Sequence, residues 1–445
     1  MDSTFHEVLH TTLNPDGPGV IRIHLIPPKA EENALNPSIA IVNGTDIVPV
    51  NFASAVMLAE LIRETNRYDG KEIGEADVQN ILNGAADNVK QIIPILSKKR
   101  ILDDILRIFT TMKQIAYREP VTTDIHTMSL GEYAEYMNAP HRMDVMVSAM
   151  TKDGKWHCNQ KCVHCYAAGQ IHSDEAELST EDWKKILDKC RAAGIPQVTF
   201  TGGEPTMRED LFELIAHARW FISRLNTNGI KLTPEYCRKL HEAELDSVQI
   251  TFYSDDPAVH DRLVGAAQFE NTAAAIDNAL AEGLSVSINT PLCMLNRDYV
   301  KTLEYLHGKG VLYVTCSGLI TTGNAAGPAS ELLQLTSGEL EQILRDAVAY
   351  CHANGMEIAF TSPGWIRPEV FEELNIPSPS CGACLSNMAI TPGGNVVPCQ
   401  SWLSDVPLGN MLTDDWAQIW DSASCLERQN YSSEMTGECP LRRYC

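Results

Sequence analysis

Apolar positions along the chain follow two periodicities that take turns in a regular order. Residues 38–50, SIAIVNGTDIVPV, form two β-rich runs split by Asn43-Gly44. That dipeptide closes a two-residue hairpin, because both positions tolerate a positive φ. From Phe52 to Thr65 the spacing turns helical, with Val56, Ala59, Leu61 and Ile62 on overlapping turns. A second helix is expected from Glu75 to Asn83, stopping at Gly84, and a longer helical pattern spans Asn88 to about Arg118. A hairpin with short helices predicts a small α+β module of winged-helix type over residues 1–120, either a recognition element or a cap on the central domain.

Between Asp144 and Phe360 strands alternate with helices. The strand candidates are Asp144–Met150, Gln197–Thr201, Ser223–Thr227, Ser247–Tyr253, Ser285–Thr290, Leu312–Ser317 and Glu357–Phe360. Helices are expected at Glu181–Ala193, from Thr233-Pro234 onward, and at Asn271–Glu282 and Gly338–Asn354. Ser179 or Thr180 caps the first, Gly194 closes it, and Thr336 with Glu339 forms a capping box for the last. The alternation predicts an α/β domain over residues 140–365, its parallel sheet curved into a partial (β/α)6 TIM-like barrel that binds ligands at the C-terminal strand ends.

Composition narrows the function classes. With 445 residues and about 150 per domain, roughly three domains are expected. Acidic residues outnumber basic ones 58 to 35, a net charge of −23, which argues against nucleic acid or an anionic membrane as partner. No apolar run approaches the roughly 18 residues of a membrane-spanning helix. The opening MDSTFHEVLH lacks the basic and apolar regions of a secretory signal, so a cytoplasmic location is expected. In that reducing compartment 14 cysteines point to metal rather than disulfides.

The cysteines are unevenly spread. None precedes Cys158, three lie within Cys158–Cys165, and six fall from Cys381 to Cys445. Cys190, Cys237, Cys293, Cys316 and Cys351 are isolated within apolar helix or strand patterns and are expected to be small buried hydrophobes. The first group, in WHCNQKCVHCYAAG, places Cys158, Cys162 and Cys165 in a C-x3-C-x2-C spacing. Three thiolates in one tight loop hold a metal or an iron–sulfur cluster. On spacing alone, zinc with His157 or His164 as fourth ligand stands beside that reading. Thr201-Gly202-Gly203-Glu204-Pro205 ends the next strand, on the same face of the expected barrel, and paired glycines let backbone approach a small polar ligand.

The cysteine spacing followed one strand later by the GGE, with Tyr166 directly after the third cysteine, resembles the radical S-adenosylmethionine (SAM) superfamily across residues 144–330. The resemblance implies a [4Fe–4S] cluster on Cys158, Cys162 and Cys165, with SAM chelating the fourth iron. It implies reductive cleavage of SAM to methionine and a 5′-deoxyadenosyl radical that abstracts hydrogen from the substrate, and an electron donor of flavodoxin or ferredoxin type. Gly202, Gly203 and Glu204 match the motif that contacts the methionine amino group. Thr251, in VQITFYSDDPAVHDRLVG, stands where serine is commoner, and Asn228 and Asn289 are further SAM-side polar groups. An arginine that related enzymes carry just before the glycine at Gly265 is replaced by Val264, with Arg262 two residues earlier.

Residues 375–445 form the third expected domain. Cys381, Cys384, Cys399, Cys439 and Cys445 fall in loops and turns, whereas Cys425 lies in a helical stretch and reads as structural. Gly394 with four residues between it and Cys399, Leu408-Gly409-Asn410, Ile419-Trp420, and Cys439 with five residues between it and Cys445 resemble the SPASM extension, which holds auxiliary iron–sulfur clusters. Thr436 replaces one cysteine of the full pattern. The five loop cysteines suffice for one auxiliary [4Fe–4S] cluster, as in the shorter twitch variant. SPASM-bearing enzymes mostly modify peptides or proteins, so the resemblance implies a peptide or protein substrate. Enzymes that oxidise cysteine or serine to formylglycine usually carry an aspartate directly after the cysteine at the Cys399 position, and here that residue is Gln400. A twitch-type dehydrogenase of a small molecule is the alternative within the superfamily, and a zinc-stabilised binding protein without catalysis the alternative outside it.

Overall fold

The computed structural model describes residues 7–13, 20–28, 36–123, 127–327 and 333–433. The chain divides into two compact units, one of residues 1–141 with 188–197 and 220–222, the other of 142–187, 198–219 and 223–445.

In the first unit, strands β1 (Leu9–Leu13), β2 (Ile21–Ile26), β3 (Ser38–Val42) and β4 (Asp46–Val50) form an antiparallel meander in chain order. The expected hairpin is β3–β4, and Asn43 and Gly44 take φ of 48° and 68° at its turn. Helices α1 (Phe52–Asn66), α2 (Glu75–Ile92) and α3 (Lys98–Ala116) follow. Asn51 caps α1 by accepting from Ser54 N at 3.0 Å, which satisfies a backbone donor left over by the first turn. One face of α1, with Ala55, Leu58 and Ile62, packs on the sheet through Ile23, Leu25, Ala40 and Val42. Its other face, with Val56, Met57 and Leu61, packs on Ile81, Ala85 and Val89 of α2 and Ile101 and Ile105 of α3. Each fully buried leucine or isoleucine in these layers contributes about 1.5–3 kcal/mol.

Two expectations are corrected here. α2 runs through Gly84 to Ile92 instead of ending there, because the bare glycine lets α2 close onto α1, where a Cβ would lie 2.9 Å from the Glu64 carboxylate. The long pattern from Asn88 is two helices, since Pro94 cannot continue α2 and Ser97 caps α3 afresh. β1 and β2 extend the unit beyond the hairpin and helices expected of a winged-helix module.

In the second unit, seven strands recur at the expected places: β5 (Arg142–Ser148), β6 (Gln197–Gly202), β7 (Ile222–Thr227), β8 (Ser247–Thr251), β9 (Ser285–Pro291), β10 (Tyr313–Ser317) and β11 (Glu357–Phe360). Helices Thr180–Ala193, Leu211–His217, Pro234–Glu242, Phe269–Ala281, Tyr299–Gly308 and Ser337–Ala353 fall between them. Strands β12 (Asn387–Ile390), β13 (Asn395–Val397) and β14 (Gly409–Asn410) join the same sheet, whose order is β11-β10-β9-β8-β7-β6-β5-β12-β13-β14. The pairings from β7 to β11 and of β12 with β5 are parallel, while β13 runs antiparallel to both its neighbours. The cysteine-rich C-terminal segment thus continues the central sheet. Among the described residues, no helix is long and apolar enough to cross a membrane.

Candidate active site

Side chains on β7–β10 alternate strictly. Leu225, Val248, Ile250, Val286, Ile288 and Val314 are buried on one face. Arg224, Asn226, Gln249, Thr251, Asn289 and Thr315 line a cavity of about 570 Å³ on the other. Parallel strands covered on both faces read as continuous apolar runs, so a polar face marks space for a ligand. Register places Asn226 beside Gln249, Thr251 beside Asn289, and Asn289 beside Thr315.

The loop carrying Cys158, Cys162 and Cys165 sits at this cavity, and all three thiols line it. Lys161 N donates to Val264 O at 3.1 Å and Val163 N to Leu263 O at 3.0 Å, which fixes the loop on the end of helix Pro257–Val264. Gly265 makes that approach possible: its φ is +70°, and a Cβ there would stand 2.5 Å from Lys161 O. Asn324 N donates to Cys165 O at 2.9 Å from the far side of the loop. Burial pushes the Cys158 thiol up to about 12 and raises Cys162 and Cys165 as well. Such thiols become thiolates when a metal supplies the compensating positive charge, so the donor set fits an iron–sulfur cluster. Of the two histidines weighed as zinc ligands, His164 lines the cavity with Nε2 3.1 Å from the Tyr253 hydroxyl. His157 lines a separate cavity, 3.7 Å from Glu177. Among the described residues no three His, Cys, Asp or Glu side chains gather around a single-ion position.

Gly202 and Gly203 bring the end of β6 against the end of β5. A Cβ on Gly202, at φ +136°, would lie 2.2 Å from Ser148 O, and one on Gly203 would lie 2.7 Å from Ala149 O. Glu204 is buried, and protein donors occupy its carboxylate: Thr206 N at 3.0 Å, Thr206 Oγ1 at 2.6 Å, Thr227 Oγ1 at 2.7 Å and Asn228 N at 2.8 Å. Burial raises its pKa despite these bonds. The carboxylate therefore ties β6 to β7, and the glycines leave backbone beside the cavity. The Asn228 amide donates to Asn159 Oδ1 at 2.6 Å, and Asn289 Oδ1 accepts from Thr315 Oγ1 at 2.8 Å. Thr251 lines the cavity. Val264 is buried, while Arg262 is exposed and lies outside the cavity lining.

Cys381 and Cys399 line the same cavity as the first three cysteines. Tyr166, after Cys165, donates to the Oε1 of Gln400, after Cys399, at 3.3 Å, which links the two cysteine loops. Cys384 is buried and shares a hydrogen bond with the Cys425 thiol, placing a fourth described sulfur beside this group. Cys439 and Cys445 lie outside the described residues. The five isolated cysteines are all fully buried.

Sequence reasoning missed Arg142, Asp144, Arg224, Asn226 and Gln249, all but Asp144 of them in the cavity wall. The signal was present as alternation, in R-L-N-T, V-Q-I-T, S-I-N-T and V-T-C-S, where a doubly covered parallel strand would carry apolar side chains throughout.

Comparison with known proteins agrees with this geometry. Residues 157–306 match the radical SAM superfamily, and residues 381–445 match an iron–sulfur cluster-binding domain, SPASM. The AdoMet-dependent heme synthase of Nitratidesulfovibrio vulgaris is 27% identical over 303 residues, covering 63% of this chain and 81% of that protein. The PqqA peptide cyclase of Streptomyces rochei is 27% identical over 297 residues, covering 64% and 79%. The structure of Streptococcus suis SuiB bound to precursor peptide SuiA aligns with TM-score 0.58 and 13% identity over 92% of this chain and 91% of that one, a likeness of fold. The chain carries a radical SAM domain and a SPASM domain and is an enzyme, and its cofactors are a [4Fe–4S] cluster, SAM and auxiliary iron–sulfur.

Proposed function

We propose that the enzyme abstracts a hydrogen atom from a peptide, as one step of a post-translational modification, within the cavity faced by β5–β10. The observation that carries this reading is the likeness to a peptide cyclase over 64% of the chain, joined to a SuiB-like fold over 92% of it. Cys158, Cys162 and Cys165 would hold the SAM cluster on the rim of a partial (β/α)6 barrel. The cluster and SAM, when bound, supply a 5′-deoxyadenosyl radical by reductive cleavage, with an electron from a flavodoxin- or ferredoxin-type donor. Gly202 and Gly203 offer backbone to the methionine end of SAM, and Thr251, Asn228 and Asn289 offer polar side chains. Tyr166 holds the two cysteine loops together through Gln400. Cys381, Cys384 and Cys399, with Cys439 and Cys445, would hold one auxiliary cluster. Gln400 lacks the basicity to take a proton from a substrate thiol or hydroxyl, which weighs against formylglycine formation. The four-stranded sheet of residues 1–141 would receive the peptide by strand addition.

A small-molecule substrate is the second reading, favoured by the equal identity to a heme synthase. The test is anoxic reconstitution with iron, sulfide, SAM and dithionite, followed by assay of 5′-deoxyadenosine in the presence of an extract of the source cells. Stimulation that disappears when the extract is first treated with protease supports a peptide. Stimulation that survives protease contradicts it.

A further inference from the structure

The cavity holds a cation that none of the residues described above engages. Arg224 lies on β7 in register with Ser247, two residues before Asn226 on the same strand face, and both line the cavity. Arg142, at the start of β5, lines it too, but its guanidinium is bound by both oxygens of Asp144: Nε to Oδ1 at 2.9 Å and Nη2 to Oδ2 at 3.4 Å. Asp144 is 1% exposed, so that pair is a neutral unit set into the wall. Arg224 has no such partner. Among the described residues its guanidinium makes no hydrogen bond or ion pair; burial and the nearby Arg142 charge hold its pKa below the ordinary value, and the Asp144 charge offsets them only in part.

Two guanidinium groups and one carboxylate leave one positive charge at this end of the cavity. A half-buried, unpaired guanidinium is costly to keep, since it has lost water without gaining an acceptor. Beside it, Asn226 Oδ1 is buried with no hydrogen-bond partner among the described residues. One strand thus presents an unused fork of N–H donors and an unused acceptor to the same space. A planar carboxylate matches the fork by two parallel N–H···O bonds, and an adjacent amide N–H matches the acceptor.

We infer that Arg224 and Asn226 form an anchoring subsite for the substrate, Arg224 taking a carboxylate and Asn226 Oδ1 accepting from a neighbouring N–H. The inference rests on the reading that a peptide occupies this cavity. On a peptide the carboxylate comes from an acidic side chain or from the chain terminus.

The test uses the reconstituted full chain with SAM present, titrated by calorimetry with four probes. N-acetylglutamate α-amide carries a side-chain carboxylate and N-acetylglutamine α-amide is its neutral counterpart; N-acetylalanine carries a terminal carboxylate and N-acetylalanine amide is its neutral counterpart. At least one acid is expected to bind about tenfold tighter than its amide, the gain of a charge-assisted hydrogen bond. The acid that does so identifies the source of the carboxylate. Arg224→Gln should remove the preference, and Arg224→Lys should restore part of it. Equal binding of acids and amides to the wild-type protein overturns the inference without any variant. So does a preference that survives Arg224→Gln, or a loss of SAM affinity in that variant as large as the loss of acid binding, which would assign the charge to SAM. Failure here leaves the peptide reading intact, because protease sensitivity of the stimulation tests that reading without reference to charge.

Discussion

Gly265 ties the cysteine loop to the unit that carries it. A side chain there must adopt a left-handed backbone and meet Lys161 O at 2.5 Å. Gly265→Ala should therefore lower unfolding stability by about 2–3 kcal/mol and reduce iron occupancy together. Urea unfolding beside iron analysis checks this, and wild-type values of both would contradict it. The thiols themselves are tested by replacing Cys158, Cys162 and Cys165 with alanine. About four irons per chain should be lost, and 5′-deoxyadenosine with them, while a brown colour persists from the auxiliary cluster. Adding Cys399→Ala should bleach the protein. A triple variant already free of iron would argue for no auxiliary cluster. These residues were legible in the sequence because three cysteines within eight positions of one loop stand out from the isolated ones. Arg224 was not, since its place in the alternating R-L-N-T run marks a cavity face only once the strand is known to be covered on both sides. Cys425 is buried on its helix, and its sulfur meets that of Cys384, a contact that depends on tertiary packing alone.

Among the elements, the central strands were the easiest to foresee, each lying within about two residues of its expected bounds because β-branched runs between capped helices leave little freedom. β1 and β2 were missed because their inward positions include Thr11, Arg22 and His24, polar side chains that break the apolar signal although each is 3% exposed. His24 makes a measurable consequence. Its Nε2 is 2.7 Å from Trp220 O, and burial, with the charges of Arg22 and Arg191, lowers its pKa to about 4. His141 acts in the same direction. The folded protein keeps this ring neutral, while the unfolded chain takes up a proton near 6.5. Stability is therefore complete above about pH 6.5 and is lost as pH falls toward 4, by up to about 3 kcal/mol from this residue. His260, also lowered to about 4, adds to the slope in the second unit. Urea midpoints at several pH values should show His24→Gln flattening that acid limb. An unchanged slope would mean that His24 is protonated in the fold.

For the molecule as a whole, a single cavity is lined by the cysteines of both groups, Cys158, Cys162 and Cys165 from one and Cys381 and Cys399 from the other, with Arg224 and Asn226 on its wall. That the C-terminal segment joins the central sheet was not legible, because β12–β14 enter it through hydrogen bonds made far apart in sequence. The central claim is that a hydrogen atom leaves a peptide for the radical formed from SAM. The most direct measurement supplies the reconstituted enzyme with peptides from cells grown on deuterated medium and reads the mass of the 5′-deoxyadenosine produced. Deuterium in that product, absent when the peptide fraction is first digested, is the result predicted. Product that forms in the presence of the deuterated peptides yet carries only protium, and gains deuterium from the deuterated non-peptide fraction instead, would contradict it.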